Sequence, residues 1–107
     1  MEQYEITRRN VAIAEYMKSE IEDQELPPIY YWFGDHYEAH ELCFNEDWDW
    51  IMPVVEEIAK ARKDAFHSGP SYKGGWFARF GMDKNSESTS LIEATWLAVS
   101  EYVLALK

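Results

Sequence analysis

The sequence predicts an α+β domain in which three helices pack on a small antiparallel sheet, in the order helix, strand, helix, strand, helix. Three observations carry that prediction. Apolar residues recur at helical spacing in three separate stretches. Two short runs rich in β-branched and aromatic residues, IYYWF and WFARFGM, lie between them. Gly and Pro clusters punctuate the boundaries. One amphipathic helix cannot bury its stripe alone, whereas three helices and a sheet can bury each other. At 107 residues the chain is expected to form a single domain, 1–107, large enough for a core without staples.

The first helix reads over residues 4–21. Ile6, Ile13, Ala14, Met17 and Ile21 keep helical spacing, with Val11 beside them and Asn10 on the same face. A buried amide must find partners, so Asn10 is expected to fasten the helix to nearby backbone. Residues 19–28 follow as an acidic linker, in which Glu20, Glu22, Asp23 and Glu25 repel one another and Pro27-Pro28 stops the helix. Residues 29–33 read as a strand, Gly34-Asp35 as its turn, and residues 37–44 as a returning strand with Leu42 and Phe44 inward and Cys43 outward.

Residues 45–62 form the stretch on which the rest is expected to lean. Asn45 or Asp47 can cap it, acids cluster at its start, and Lys60, Arg62 and Lys63 sit at its end, as the helix dipole favours. Ile51, Val54, Val55 and Ile58 make one apolar row, and Trp48, Met52, Val55 and Ala59 a second beside it. Trp48 and Trp50 both read as core. Pro53 cannot donate to the Asp49 carbonyl, so the helix must start close to Asp49 or bend near residues 49–51.

Residues 66–75 read as a loop or short strand and a turn, 76–82 as the strongest late strand, and 83–89 as a polar turn. The last helix starts at Ser90, paired with Glu93 as a capping box. Its stripe is Ile92, Trp96, Val99, Val103 and Leu106, widened by Thr95 and Tyr102.

Charge is divided along the chain. Residues 1–57 hold 15 acidic and 3 basic side chains, a balance of −12, while 58–107 hold 5 and 7, a balance of +2. The acidic half argues against direct nucleic-acid binding, because phosphate contacts need Lys and Arg. It suits a basic partner, a surface that imitates a phosphate backbone, or a solvated face that aids solubility. The Arg8-Arg9 pair is too short for a nucleic-acid patch. No apolar run reaches membrane-spanning length, and the first residues lack the apolar centre of a signal peptide, so no membrane contact is expected. A lone cysteine, Cys43, fits a reducing compartment, which points to the cytoplasm.

Candidate chemistry is sparse. His36, His40 and Cys43 would share one side of a helix and offer a metal three ligands, but on a strand Cys43 faces away from the two histidines. Cys43 with His40 or His67 has the parts of a thiol nucleophile and its base, while a lone thiol beside an aromatic strand packs as a small apolar group. The sequence therefore names no catalytic, cofactor or metal residue. The surplus is aromatic: Tyr30, Tyr31, Trp32, Tyr37, Tyr72 and Trp76 exceed what one core of this size easily takes up. Tyr30, Tyr31, Trp32 and Tyr37, rimmed by acids, are the candidate contacts for a protein partner or a second copy. The competing reading is that alternate members of IYYWF line the inner face of the sheet.

Three blocks, NVAIAEYM, WDWIMPVVEEI and LIEATWLAVSEYV, resemble a family of small uncharacterised proteins found in bacteriophages and Bacteroidetes genomes. There the second block tends to read WDWLMPVVEKI. The order of elements is more loosely similar to the phage ABA sandwich domain, whose helices flank a small sheet. The resemblance covers about 40 residues, with the middle block the specific one. It implies a fold and a phage or mobile-element setting, and brings no catalytic residues. The expectation is a non-enzymatic interaction domain of phage or prophage origin that binds protein through its acidic, aromatic N-terminal half. The alternative is an acidic inhibitor of a host nucleic-acid-handling defence enzyme acting by phosphate mimicry, and the third a small enzyme.

Overall fold

The computed structural model describes residues 1–17, 21–22, 29–32 and 34–106. Three helices, α1 (Gln3–Tyr16), α2 (Trp48–Arg62) and α3 (Leu91–Ala105), alternate with two groups of strands. β1 (Ile21–Glu22), β2 (Ile29–Trp32) and β3 (Asp35–Glu38) form one antiparallel sheet, and β4 (Phe66–Pro70), β5 (Trp76–Phe80) and β6 (Ser86–Ser88) another, in sequence order in each case. The α+β class and the helix–strand–helix–strand–helix order hold, with each strand group closing its own three-stranded sheet.

The helix that the other elements share is α3, rather than α2: it packs against α1, α2, β5 and β6. Its sequence explains this. Ala94, Thr95, Trp96, Ala98, Val99, Ser100 and Val103 are all buried, so small side chains on several sides let neighbours approach while Trp96 fills the space between them. The Thr95 and Ser100 hydroxyls donate to the Leu91 and Leu97 carbonyls inside the helix, so their burial strands no donor. Ser90 Oγ accepts from the Glu93 amide at 3.2 Å, the Ser90 half of the expected box.

α2 begins at Trp48 behind an Asp47 cap, whose carboxylate accepts from the Asp49 amide at 2.9 Å. The late start keeps Pro53 near the first turn. Trp50, Ile51, Val54, Val55 and Ile58 form the buried face. Trp48, expected in the core, is instead 40% exposed. Helical side chains lean toward the N-terminus, so the first residue of a helix reaches beyond the surface its later turns pack on. The helix ends on Lys63 in the left-handed region at φ 58°, which turns the chain toward β4.

Elsewhere local chemistry redraws boundaries. α1 stops at Tyr16, and Ile21 belongs to β1, paired with Tyr30. The rest of the predicted linker, residues 19–20 and 23–28, lies outside the described residues, as does Phe33. The returning strand covers only Asp35–Glu38, before a 3-10 turn at Ala39–Glu41. A reciprocal cap drives that change: Glu41 Oε1 accepts from the Glu38 amide at 2.9 Å, and the Glu38 carboxylate accepts from the Glu41 amide. Leu42 and Phe44 still point inward. β6 falls inside the predicted polar turn, because pairing with β5 supplies what Ser-Glu-Ser lacks in strand preference.

Asn10 joins the pieces, as expected, and reaches further than backbone. Its Nδ2 donates to the Leu42 carbonyl at 3.0 Å and to Asn45 Oδ1 at 2.9 Å, while its Oδ1 accepts from Trp96 Nε1 at 2.8 Å. Arg62 plays a similar part nearer the surface. It makes a two-pronged pair with Asp83, contacts Asp64 at 2.9 Å, and lies 5.4 Å from the Tyr102 ring centroid.

Asn10→Ala is expected to cost about 2–4 kcal/mol in urea unfolding, because it leaves buried partners unsatisfied. A double-mutant cycle with Trp96→Phe should show a coupling of about 1 kcal/mol or more; simple additivity would show the bond to be unimportant. The hydrogen bonds from Arg62, ahead of its charge, hold the Asp83 carboxyl below its ordinary 3.8. Its folded pKa is depressed, so the stabilisation is present above the unfolded value and disappears as pH falls through the folded one. The melting-temperature gap between wild type and Asp83→Asn should therefore be open near neutrality and close in acid.

Candidate functional site

The predicted contact residues divide on inspection. Tyr30 is 3% exposed and belongs to the main core, which corrects its assignment as a partner contact: alternation along β2 turns it inward, opposite Tyr37. Trp32 and Tyr37 are half-buried. Both meet Trp50, with ring centroids at 6.1 and 4.9 Å, and Phe44 lies 5.2 Å from the same indole. These four rings make an aromatic end of the core where β2 and β3 meet the start of α2, with several edge-to-face contacts. The Tyr31 side chain lies outside the described residues. The competing sequence reading, that IYYWF lines a buried face, therefore describes Tyr30 fully and Trp32 in part.

Among the described residues, the aromatic side chains that remain at the surface are Tyr4 on α1 at 76% exposure, Trp48, Tyr72 at 94% and Trp76 at 37%. Trp48 is the one sequence reasoning missed. Its position at the very start of an N-capped helix was the available signal, outweighed by its place in an apolar row.

Around Trp48 the surface is acidic. From residue 19 to residue 59 the chain has 12 acids and no Lys or Arg. Asp35, Glu41, Glu46, Asp47, Asp49, Glu56 and Glu57 are exposed, and Glu38 half-exposed. Among the described residues none of these eight pairs with a Lys or Arg; Glu38, already bound to the Glu41 amide, lies 3.7 Å from His40. By contrast, Glu5 is claimed by Arg8 and Arg9, and Asp64 and Asp83 by Arg62. Among the described residues, the arginines that form ion pairs, Arg8, Arg9 and Arg62, do so away from this surface. What is left is a negative surface with an indole in it.

The histidine and thiol candidates do not converge as the sequence suggested. Glu38, His40 and Glu41 bring one ligand atom each within 4.8 Å of the others at the 3-10 turn. His36 and Cys43 are not in that group. Two of its members are already engaged in the reciprocal cap, and it stands at the surface. Cys43 sits in the loop after the turn, its Sγ donating to the Glu41 carbonyl at 3.1 Å. Burial first, then the charges of Glu46, Asp47 and Glu41, push its thiol pKa up. That is the reverse of what a nucleophilic thiol needs.

A separate concavity of about 420 Å³ opens on the outer side of the β4–β6 sheet, lined among others by Tyr72, Lys73, Phe77, Arg79 and Lys84. No described helix is long and apolar enough to cross a membrane. No known protein family, curated protein or solved structure matches the chain.

Cys43 should be alkylated by iodoacetamide more slowly than free cysteine at the same pH, and Glu46→Gln should speed the reaction by removing a nearby negative charge. A rate above that of free cysteine would contradict the raised thiol pKa.

Proposed function

We propose that this protein is a non-enzymatic interaction domain, of phage or prophage origin, that docks a basic protein partner on the acidic face around the start of α2. The observation that carries the reading is Trp48, an exposed indole flanked by Glu46, Asp47 and Asp49 on a surface whose carboxylates have no described Lys or Arg partner. Folding normally removes a tryptophan from water, since it offers the largest apolar area of any side chain. An interface benefits from one: tryptophan is among the residues enriched at the energetic centres of interfaces. Carboxylates around it attract a basic surface from a distance and raise the association rate, an effect screened beyond about 8 Å at physiological salt.

The half-buried Trp32 and Tyr37 support this surface from behind, since both pack on Trp50 in the first turn of the same helix. The resemblance of the WDWIMPVVEEI block to phage proteins supports the setting, and the same block supplies the exposed indole. Phosphate mimicry uses the same carboxylates without needing Trp48, which separates the two readings.

Tagged protein should retain a basic protein from a natural host, with retention weakening as salt rises through about 0.3 M. Trp48→Ala should abolish it while far-UV circular dichroism stays unchanged. Equal capture by the variant would overturn the docking surface. Retention that survives Trp48→Ala but is displaced by DNA or RNA would favour phosphate mimicry instead.

A further inference from the structure

The concavity on the β4–β6 sheet shares no residue with the acidic face and has the opposite chemistry. Alternation along β5 sends Ala78 and Phe80 into the core, leaving Phe77 and Arg79 on the outer side. The register sets Phe77 beside Gly69 on β4 and Glu87 on β6. A side-chain carbon at Gly69 would touch the Phe77 ring at 3.5 Å, so glycine leaves that ring without a covering neighbour from β4.

Arg79 is held in place. Its Nε donates to the Gly81 carbonyl at 3.1 Å, its Nη1 to Asn85 Oδ1 at 3.0 Å, and its guanidinium carbon lies 5.5 Å from the Phe77 ring centroid. Three of its five N–H groups are not used in these bonds. Lys73 enters from the turn between β4 and β5, and Lys84 from the turn between β5 and β6. The one acid in the lining, Glu87, accepts from Ser71 Oγ at 2.6 Å. Gly75 keeps the first turn close: it stands at φ +80°, and a side-chain carbon there would come within 2.5 Å of the Ser88 carbonyl oxygen.

We propose that this concavity binds a small ligand joining a planar ring to a phosphate, of the mononucleotide class. Phe77 and Tyr72 offer aromatic surface for the ring, and stacking on such a surface contributes about 1–3 kcal/mol per base. The oriented guanidinium and the two ammonium groups meet the phosphate, where charge-assisted bonds are strongest. The volume of about 420 Å³ suits one small molecule. The net charge of −10 disfavours a long polyanion, whose further phosphates would meet the acidic half, but a single phosphate answers to the three cations beside it.

Titration by NMR with adenosine 5′-monophosphate tests the site, with adenosine, inorganic phosphate and a single-stranded oligoadenylate as comparators. The monophosphate should saturate the β5 resonances with a Kd of roughly 0.1–1 mM. Adenosine and phosphate alone should each bind at least about tenfold more weakly, since each keeps only one of the two interactions. Arg79→Gln and Lys84→Glu should each weaken binding by about tenfold with the remaining spectrum intact, and Lys84, on a turn, gives a variant that does not challenge folding. The assignment is overturned by absence of saturation, by binding that both variants leave unchanged, or by tighter binding of the oligoadenylate than of the monophosphate.

Discussion

The Asn10 side chain is the constraint on which the arrangement of this molecule depends. One amide ties α1 to the Leu42 carbonyl, to Asn45 just ahead of α2, and to the indole of Trp96 on α3. All three bonds lie in or beside the apolar core, where an unmatched polar atom is costly and a matched one specifies position. Aliphatic packing alone tolerates small slips of one helix along another. An amide with one acceptor and two donors in use does not, because any slip strands at least one of them. Arg9 extends the fastening outward, with its guanidinium 5.8 Å from the Trp96 ring centroid and its Nη1 donating to Ser100 at 2.8 Å.

With α1, α2 and α3 held this way, the aromatic residues fall into two populations. Phe44, Trp50, Trp96 and Phe80 are buried in one core, with Trp32 and Tyr37 packed against it. Tyr4, Trp48, Tyr72 and Trp76 are left at the surface among the described residues. Two of these stand where charge is concentrated, Trp48 among carboxylates and Tyr72 next to Lys73. Charge of one sign beside an exposed ring favours a ligand of the opposite charge that can also cover the ring, which is the physical link between this partition and the two binding proposals.

Charge segregation works with the fold. The exposed acids between Asp35 and Glu57 have no described Lys or Arg partner, while Arg8, Arg9 and Arg62 are engaged by Glu5, Asp64 and Asp83, and Lys73, Arg79 and Lys84 line the outer side of the β4–β6 sheet. The molecule thus presents a negative indole-bearing face and a smaller positive aromatic one. Each favours a different partner chemistry.

Much of the architecture was legible in the residues themselves. The three helical stripes, the Asp47 and Ser90 caps, the β2 and β5 strands and the fastening role of Asn10 follow from spacing and from local hydrogen-bonding chemistry, which act within a few residues of chain. The destination of each aromatic ring was not legible, because Trp48 and Trp50 look alike until the end of the helix is placed against its neighbours. Nor was β6, whose Ser-Glu-Ser acquires strand form only from its ladder with β5. The basic concavity likewise needed the fold, since Lys73, Arg79 and Lys84 are an unremarkable scatter in sequence until β5 and the two turns beside it bring them to one concavity with Phe77. Local propensity and periodicity decide which segments become helix or strand; only long-range packing decides which side chains are left for water, because exposure is a property of neighbours and not of sequence position.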